Sequence, residues 1–108
     1  MAVKKLADFE GHDAVRVTGK ILAEITRLQD KFKAAYPDAE QLEKDMQEDK
    51  GKFFEMLMDV APEQLINILA ILNDVPREDY HFNGATFSAD FLAAFSDEDF
   101  IKLFKMQA

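Results

Sequence analysis

Apolar residues recur at helical spacing along most of this chain. After Gly11 they stand three or four positions apart, at Ile21, Ile25, Leu28, Phe32 and Ala35. This period places them on one face of an α-helix. Val15 widens the apolar stripe, whereas Glu24 falls on the polar side. We expect the helix to end at Tyr36, because the residue before a proline, here Pro37, is disfavoured in helical geometry.

A second helical segment is predicted from the next capping signal. The carboxylate of Asp38 can accept a hydrogen bond from the amide of Gln41, as in a capping box. Gly51 interrupts the segment, since glycine inside a helix costs about 1 kcal/mol relative to alanine. The apolar pattern resumes at Phe53 and continues to Val60. The pattern therefore predicts two helical pieces with a kink or break near the glycine.

The third predicted helix is apolar on nearly every side. Pro62 suits its first turn, where the missing N–H would have had no partner. From Leu65 to Leu72 only an asparagine and an alanine interrupt the large apolar residues. Such a helix belongs in the middle of a bundle. Asn83 and Gly84 follow in a polar stretch that is typical of a turn.

Phenylalanine is concentrated at the end of the chain. Of ten phenylalanines, six fall in the last 27 residues: Phe82, Phe87, Phe91, Phe95, Phe100 and Phe104. Ser96 and Asp99 have the spacing of a capping box that opens a last helix. The helices on either side of that box are too short to be stable alone, so packing must hold them. Their rings either complete the core or leave an exposed apolar patch for a partner.

These elements predict an all-α fold, a small helical bundle of about five helices with short C-terminal helices. The chain of 108 residues has the size of one domain, so residues 1–108 are expected to form a single helical domain. Neither an internal repeat nor a linker divides the sequence.

Charge and composition narrow the function. The formal net charge of -8 disfavours a nucleic-acid partner, because such partners need basic surfaces. The chain has no cysteine, which excludes disulfides. After residue 35 the chain carries 6 basic and 16 acidic residues, a net charge of -10. This acidity either attracts a basic partner or keeps the protein soluble. We see no apolar run of the length needed for a signal sequence or a membrane span, so no membrane association is expected.

Motifs for catalysis and cofactors are missing, so we expect a protein that is not an enzyme and needs neither cofactor nor metal. There is no nucleophile elbow, phosphate loop or zinc-binding histidine pair. From Asp79 to Asp90 the spacing approaches that of a calcium-binding EF-hand loop, with Asn83 and Gly84 at the fifth and sixth positions. His81 occupies a position that normally supplies oxygen, so accidental spacing is the better interpretation.

Four segments resemble the tail assembly chaperones of long-tailed phages and prophages of Gram-positive hosts. Two lie near the start of the chain, KKLADFEGHDAV from Lys4 and ILAEI from Ile21. Two lie near its end, QLINILAILNDVPREDY from Gln64 and SDEDFIKLF from Ser96. The likeness covers the two ends of the chain. The acidic stretch from Asp38 to Lys50 departs from the more basic middle of that family.

The resemblance implies a non-catalytic role in phage tail assembly. Members of the family bind the aggregation-prone tape measure protein and keep it soluble until tail tube subunits displace it. It further implies self-association, a longer partner made by translational frameshifting, and action in the host bacterial cytoplasm outside the mature virion. The candidate partner-binding residues are Phe87, Phe91, Phe95, Phe100 and Phe104. The alternatives are a regulatory adaptor that binds a host protein, and a degenerate EF-hand-like module that responds to calcium.

Overall fold

The structure is a computed structural model whose description covers residues 3–106. Within that range it leaves out the side chains at positions 39, 42, 43, 45, 46, 50, 52, 53, 105 and 106. Residues 3–106 contain no strand and six α-helices: α1 (Gly11–Ala35), α2 (Ala39–Glu48), α3 (Lys50–Val60), α4 (Pro62–Leu72), α5 (Gly84–Ala94) and α6 (Glu98–Met106). Two short 3-10 turns lie at Leu6–Asp8 and Arg77–Asp79. The predicted all-α class is confirmed. The single-domain prediction for residues 1–108 also includes positions 1, 2, 107 and 108, which lie outside the described residues.

The long helix α1 packs mainly against α4 and also contacts α3 and α6. Four of the five residues of its predicted stripe are buried, with Ile21 and Ile25 fully inaccessible to solvent. The fifth, Ala35 in the last turn of α1, is exposed. The two helices run antiparallel, since Glu24 contacts Asn67 while residues one or two turns earlier on α1 lie beside Ile71. One hydrophobic core is built from this helix pair together with residues from α3, α5 and α6. No helix among the described residues is long and apolar enough to cross a bilayer.

Two residues of α1 lie on the opposite side from the one predicted. Val15 is 74% exposed, because its helical position turns it away from α4. Glu24 is buried at 8% exposure. Its carboxylate accepts hydrogen bonds from the Arg27 guanidinium at 2.6 Å and from the Asn67 side-chain amide at 3.3 Å. These partners on α1 and α4 satisfy a carboxylate that would otherwise be costly to bury.

The break after the second helix falls at Asp49, and Gly51 lies inside α3. The predicted break is therefore confirmed two residues earlier than the glycine. At the start of α2 the Gln41 amide donates to the Asp38 carboxylate at 3.1 Å, as the capping signal predicts. α4 begins with Pro62 in its first turn, also as predicted.

A Schellman-type ending closes α4. Asp74 adopts a left-handed backbone with φ of 59°, the Asp74 amide donates to the Ile71 carbonyl, and the Val75 amide donates to the Ala70 carbonyl. Aspartate tolerates this conformation better than most residues because its short side chain can bond locally. The chain therefore turns sharply towards the segment that leads to α5.

The last helix is capped by Asp97, and the predicted capping by Ser96 is wrong. The Ser96 hydroxyl donates back to the Leu92 carbonyl of α5 at 2.7 Å. Asp97 accepts from the Asp99 amide at 3.1 Å and, through its other oxygen, from the Leu6 amide at 2.9 Å. Because the Lys4 amide also donates to the Leu72 carbonyl, the N-terminal segment ties the end of α4 to the start of α6.

Candidate partner-binding surface

The five predicted partner-binding phenylalanines lie together, but not all of them reach the surface. Phe91 is 6% exposed and Phe100 is fully buried, so these two rings complete the core. Phe87, Phe95 and Phe104 are half-buried and pack against that core. In this conformation only the half-buried three present any surface to a partner. That the five bind a partner stays a prediction.

Ring contacts join these residues into one cluster. Along α5 the ring centroids of Phe87 and Phe91 are 6.1 Å apart, and those of Phe91 and Phe95 are 4.5 Å apart. The four-residue spacing produces this row, since such residues share one helix face. Phe95 then meets Phe100 at 5.3 Å and Phe104 at 5.6 Å, both edge to face. The aromatic row therefore links α5 to α6.

Two phenylalanines that sequence reasoning missed form the most exposed part of this cluster. Phe54 of α3 is 38% exposed and meets Phe91 and Phe95 edge to face. Phe82, just before α5, is 40% exposed, and its ring centroid lies 5.8 Å from that of Phe87. The signal for Phe82 was its place in a polar connecting stretch, because such stretches lie at the surface. The turn predicted at Asn83 and Gly84 is wrong, since Asn83 caps α5 and Gly84 is its first residue. We call the connected rings of Tyr80, Phe82, Phe87, Phe91, Phe95, Phe100, Phe104 and Phe54 the aromatic cluster.

An apolar groove opens beside the aromatic cluster. It has a volume of about 220 Å³ and is lined by Met58, Pro62, Leu65, Ile66, Phe82 and Phe87. The end of α3 and the first turns of α4 form one wall, and the turn before α5 together with α5 itself forms the other. Sites for small molecules usually measure about 300–1,000 Å³. The groove is therefore better matched to one or two apolar side chains of a macromolecule.

A buried polar contact holds the wall of the groove that α5 and the residues before it form. The Tyr80 hydroxyl donates to the Asp90 carboxylate at 2.7 Å. The side-chain amide of Asn73, at the end of α4, donates to the Leu69 carbonyl at 2.7 Å and lies 3.4 Å from the same Asp90 oxygen. Burial raises the pKa of Tyr80, the hydrogen bond and the charge of Asp90 raise it further, and Arg77 opposes them. Since the Tyr80 ring stacks on Phe82 at 5.2 Å, this contact also fixes the outer edge of the groove.

The twelve residues with EF-hand spacing do not form a loop around an ion. Asp79 ends a 3-10 turn, and the Asn83 side chain accepts from the Ala85 and Thr86 amides as the cap of α5. Asp90 lies inside α5 and faces Tyr80. Over the part of the chain that the structure describes, no three histidine, aspartate or glutamate side chains are grouped closely enough to hold a metal ion. The arrangement brings no observation in favour of the calcium-responsive alternative.

Leu92 provides a useful contrast to the aromatic cluster. It is 65% exposed on α5, yet it neither lines the groove nor lies on the face of the row of rings. An isolated exposed leucine is common on soluble proteins, whereas adjoining exposed aromatic rings mark sites for partners. The chemistry offered by the cluster and the groove is apolar contact.

No protein-family model matches the chain, and no curated protein or solved structure matches it either.

Proposed function

We propose that this chain is a non-catalytic tail assembly chaperone that binds the tape measure protein and keeps it soluble during tail assembly in the host cytoplasm. The proposal is supported by one observation: the partly exposed rings of the aromatic cluster adjoin an apolar groove that is large enough for one or two side chains. An amphipathic helix can lay its apolar face into such a groove without any bond being made or broken.

Several features of the surface suit a temporary complex. Phe54 and Phe82 are only 38% and 40% exposed, so each ring offers a partner an edge and not a whole face. Contacts of this kind allow modest affinity per site, which release by tail tube subunits requires. Repeated copies along one long client would add avidity without new contacts. The self-association implied by the resemblance would help to place those copies.

Co-expression with the tape measure protein from the same genome tests the proposal. We expect the client to stay in the soluble fraction with the wild-type chain and to precipitate without it. Phe82→Ser should lower the soluble fraction, because it removes the exposed ring that lines the groove. Leu92→Ser is the matched control, since it removes an exposed apolar side chain away from the groove. Equal precipitation of the client with and without the chain would overturn the proposal.

A further inference from the structure

The groove lies in a strongly acidic part of the molecule. All of its lining residues fall between positions 54 and 87. This segment contains one arginine, Arg77, and six acidic residues: Glu55, Asp59, Glu63, Asp74, Glu78 and Asp79. Every one of these charged side chains is exposed. An acidic surface beside an apolar groove attracts cationic partners and repels anionic ones, so charge can take part in choosing the occupant of the groove.

Three of the acids follow the wall formed by α3 and α4. Glu55 lies one turn before the groove residue Met58, and Asp59 follows Met58 directly. Glu63 lies one turn before Ile66, which also lines the groove. Residues three or four apart on a helix are neighbours on its surface, so Glu55 adjoins Met58, Glu63 adjoins Ile66, and Asp59 adjoins Glu55. None of the three acids forms an ion pair with a side chain that the structure describes.

The arginine of this segment, Arg77, is already engaged. The Arg77 guanidinium lies 5.9 Å from the centroid of the Phe82 ring, on the opposite wall. Such a contact stabilises a cation at the ring face. The groove therefore has an apolar lining and a cation held against the ring of Phe82. Three exposed acids outside that lining, Glu55, Asp59 and Glu63, follow α3 and α4 without a described ion-pair partner, and we call them the acidic wall.

We propose that this groove selects an amphipathic helix that carries a bulky apolar residue flanked by lysine or arginine. The inference rests on the proposed function and names the chemistry of the client segment. The apolar residue enters the groove, and the basic residues lie beside Glu55, Asp59 and Glu63. A second copy of this chain fits less well. Its exposed Val15 is flanked by Arg16, which is already paired with Asp13 at 3.4 Å.

Two synthetic helical peptides test the selection with the full chain. Both share one apolar stripe with a central leucine, and they differ only in flanking lysines or flanking glutamates. In fluorescence anisotropy we expect the lysine peptide to bind about tenfold more tightly at low salt, since a few exposed ion pairs together reach this range. High salt should reduce the difference, because it screens charges beyond about one Debye length. Equal affinities would overturn the inference.

A matched pair of variants locates the effect. Glu55→Lys combined with Asp59→Lys reverses two charges of the acidic wall. Asp30→Lys combined with Glu48→Lys makes the same change in net charge at exposed positions outside the segment. Glu63 is left in place because an acid in the first turn of α4 stabilises that helix. We expect only the first pair to lose the preference for the lysine peptide, while circular dichroism shows that both variants stay folded.

The remaining outcomes separate the possible errors. An equal loss of preference in both variants would assign the effect to net charge and overturn the inference. A second result would also overturn the inference: Glu55→Lys with Asp59→Lys abolishes self-association in sedimentation, while the affinities for both peptides stay the same. The occupant of the groove would then be a second copy of this chain. Each of these results would leave the proposed function standing if Phe82→Ser still lowered client solubility. Failure of the co-expression experiment would remove the function itself.

Discussion

The pairing of α1 with α4 is aliphatic, whereas α5 and α6 are held to the molecule largely by phenylalanine rings. In the first region Ile21, Ile25 and Ile68 leave at most 2% of their surface exposed. In the second region Phe100 is equally buried and Phe91 is nearly so, but Phe87, Phe95 and Phe104 are only half-buried. Branched aliphatic side chains interdigitate between two helices, while large flat rings on short helices leave edges at the surface.

This difference assigns different tasks to the two regions. The aliphatic pair holds the fold. The aromatic region completes the core, and its exposed ring edges are the surface that the proposed function assigns to a partner. The two tasks meet at Phe91, which is buried at 6% exposure and touches the exposed ring of Phe54. A change in the aromatic region can therefore affect stability, partner binding or both, depending on which ring is removed.

The largest expected effect comes from truncating one fully buried side chain in each region. Phe100→Ala should lower the free energy of unfolding by about 3–5 kcal/mol, and Ile25→Ala by about 2–5 kcal/mol, since each leaves a cavity in the core. Both side chains are fully buried. Urea unfolding followed by circular dichroism measures both losses.

The two truncations also examine whether the regions unfold together. Because the Phe100 ring meets Phe95 and the N-terminal segment is bonded to Asp97, we expect one cooperative transition in both variants. A loss within about 0.5 kcal/mol for Phe100→Ala, the usual size for a surface substitution, would contradict its place in the core.

A smaller effect is expected from the buried hydrogen bond between Tyr80 and Asp90 inside the aromatic region. Tyr80→Phe removes the hydrogen bond to Asp90 and should cost about 1.5–3 kcal/mol at neutral pH, the usual range for a bond to a carboxylate. Tyr36→Phe is the control, because it removes a phenol from the other region and leaves Asp90 paired.

The same contact predicts a pH dependence. The pKa of Tyr80 is raised above its ordinary value of 10.0, chiefly by burial. Between that value and the higher folded pKa, the folded state binds more protons than the unfolded state, so stability falls as pH rises. The contribution is complete below pH 10 and declines above it by at most about 1.4 kcal/mol per pH unit. Unfolding at alkaline pH should show the advantage of the wild type over Tyr80→Phe shrinking; a constant difference would contradict this account.

Much of the first region could be predicted from the sequence, because its signals are local. The spacing of Ile21, Ile25 and their neighbours indicates α1, the Tyr36-Pro37 pair indicates its end, and Pro62 indicates the start of α4. The burial of Glu24 could not be predicted in this way. It depends on Asn67, which is 43 positions away in the sequence and comes close only through packing of the helices.

The aromatic region was less predictable for the same reason. Spacing brings Phe87, Phe91 and Phe95 onto one face, but it does not say which ring the rest of the molecule covers. Phe54 becomes part of the cluster because α3 crosses that face, which no local pattern reports. The groove joins residues from α3, α4 and α5, so its existence depends on tertiary packing.

The smallest expected effect is a gain of stability in the aliphatic region. Gly19 lies inside α1 on its exposed side, and a Cβ added there would meet nothing within 4 Å. Gly19→Ala should therefore stabilise the protein by about 1 kcal/mol, since alanine favours a helix interior over glycine. This corresponds to a rise in melting temperature of roughly 4 °C for a domain of this size, measured by circular dichroism.

Gly11→Ala is the matched control for that gain. It also has open space around its Cβ position, but its φ of 59° is a conformation that alanine adopts only with strain. We expect it to destabilise the protein by about 1–2 kcal/mol. If both substitutions raised the melting temperature, the left-handed start of α1 would be wrong. If Gly19→Ala lowered the melting temperature, the face of α1 around Gly19 would be covered in solution. A second copy of this chain, which fits the groove poorly, would then be the partner to test on that face of α1.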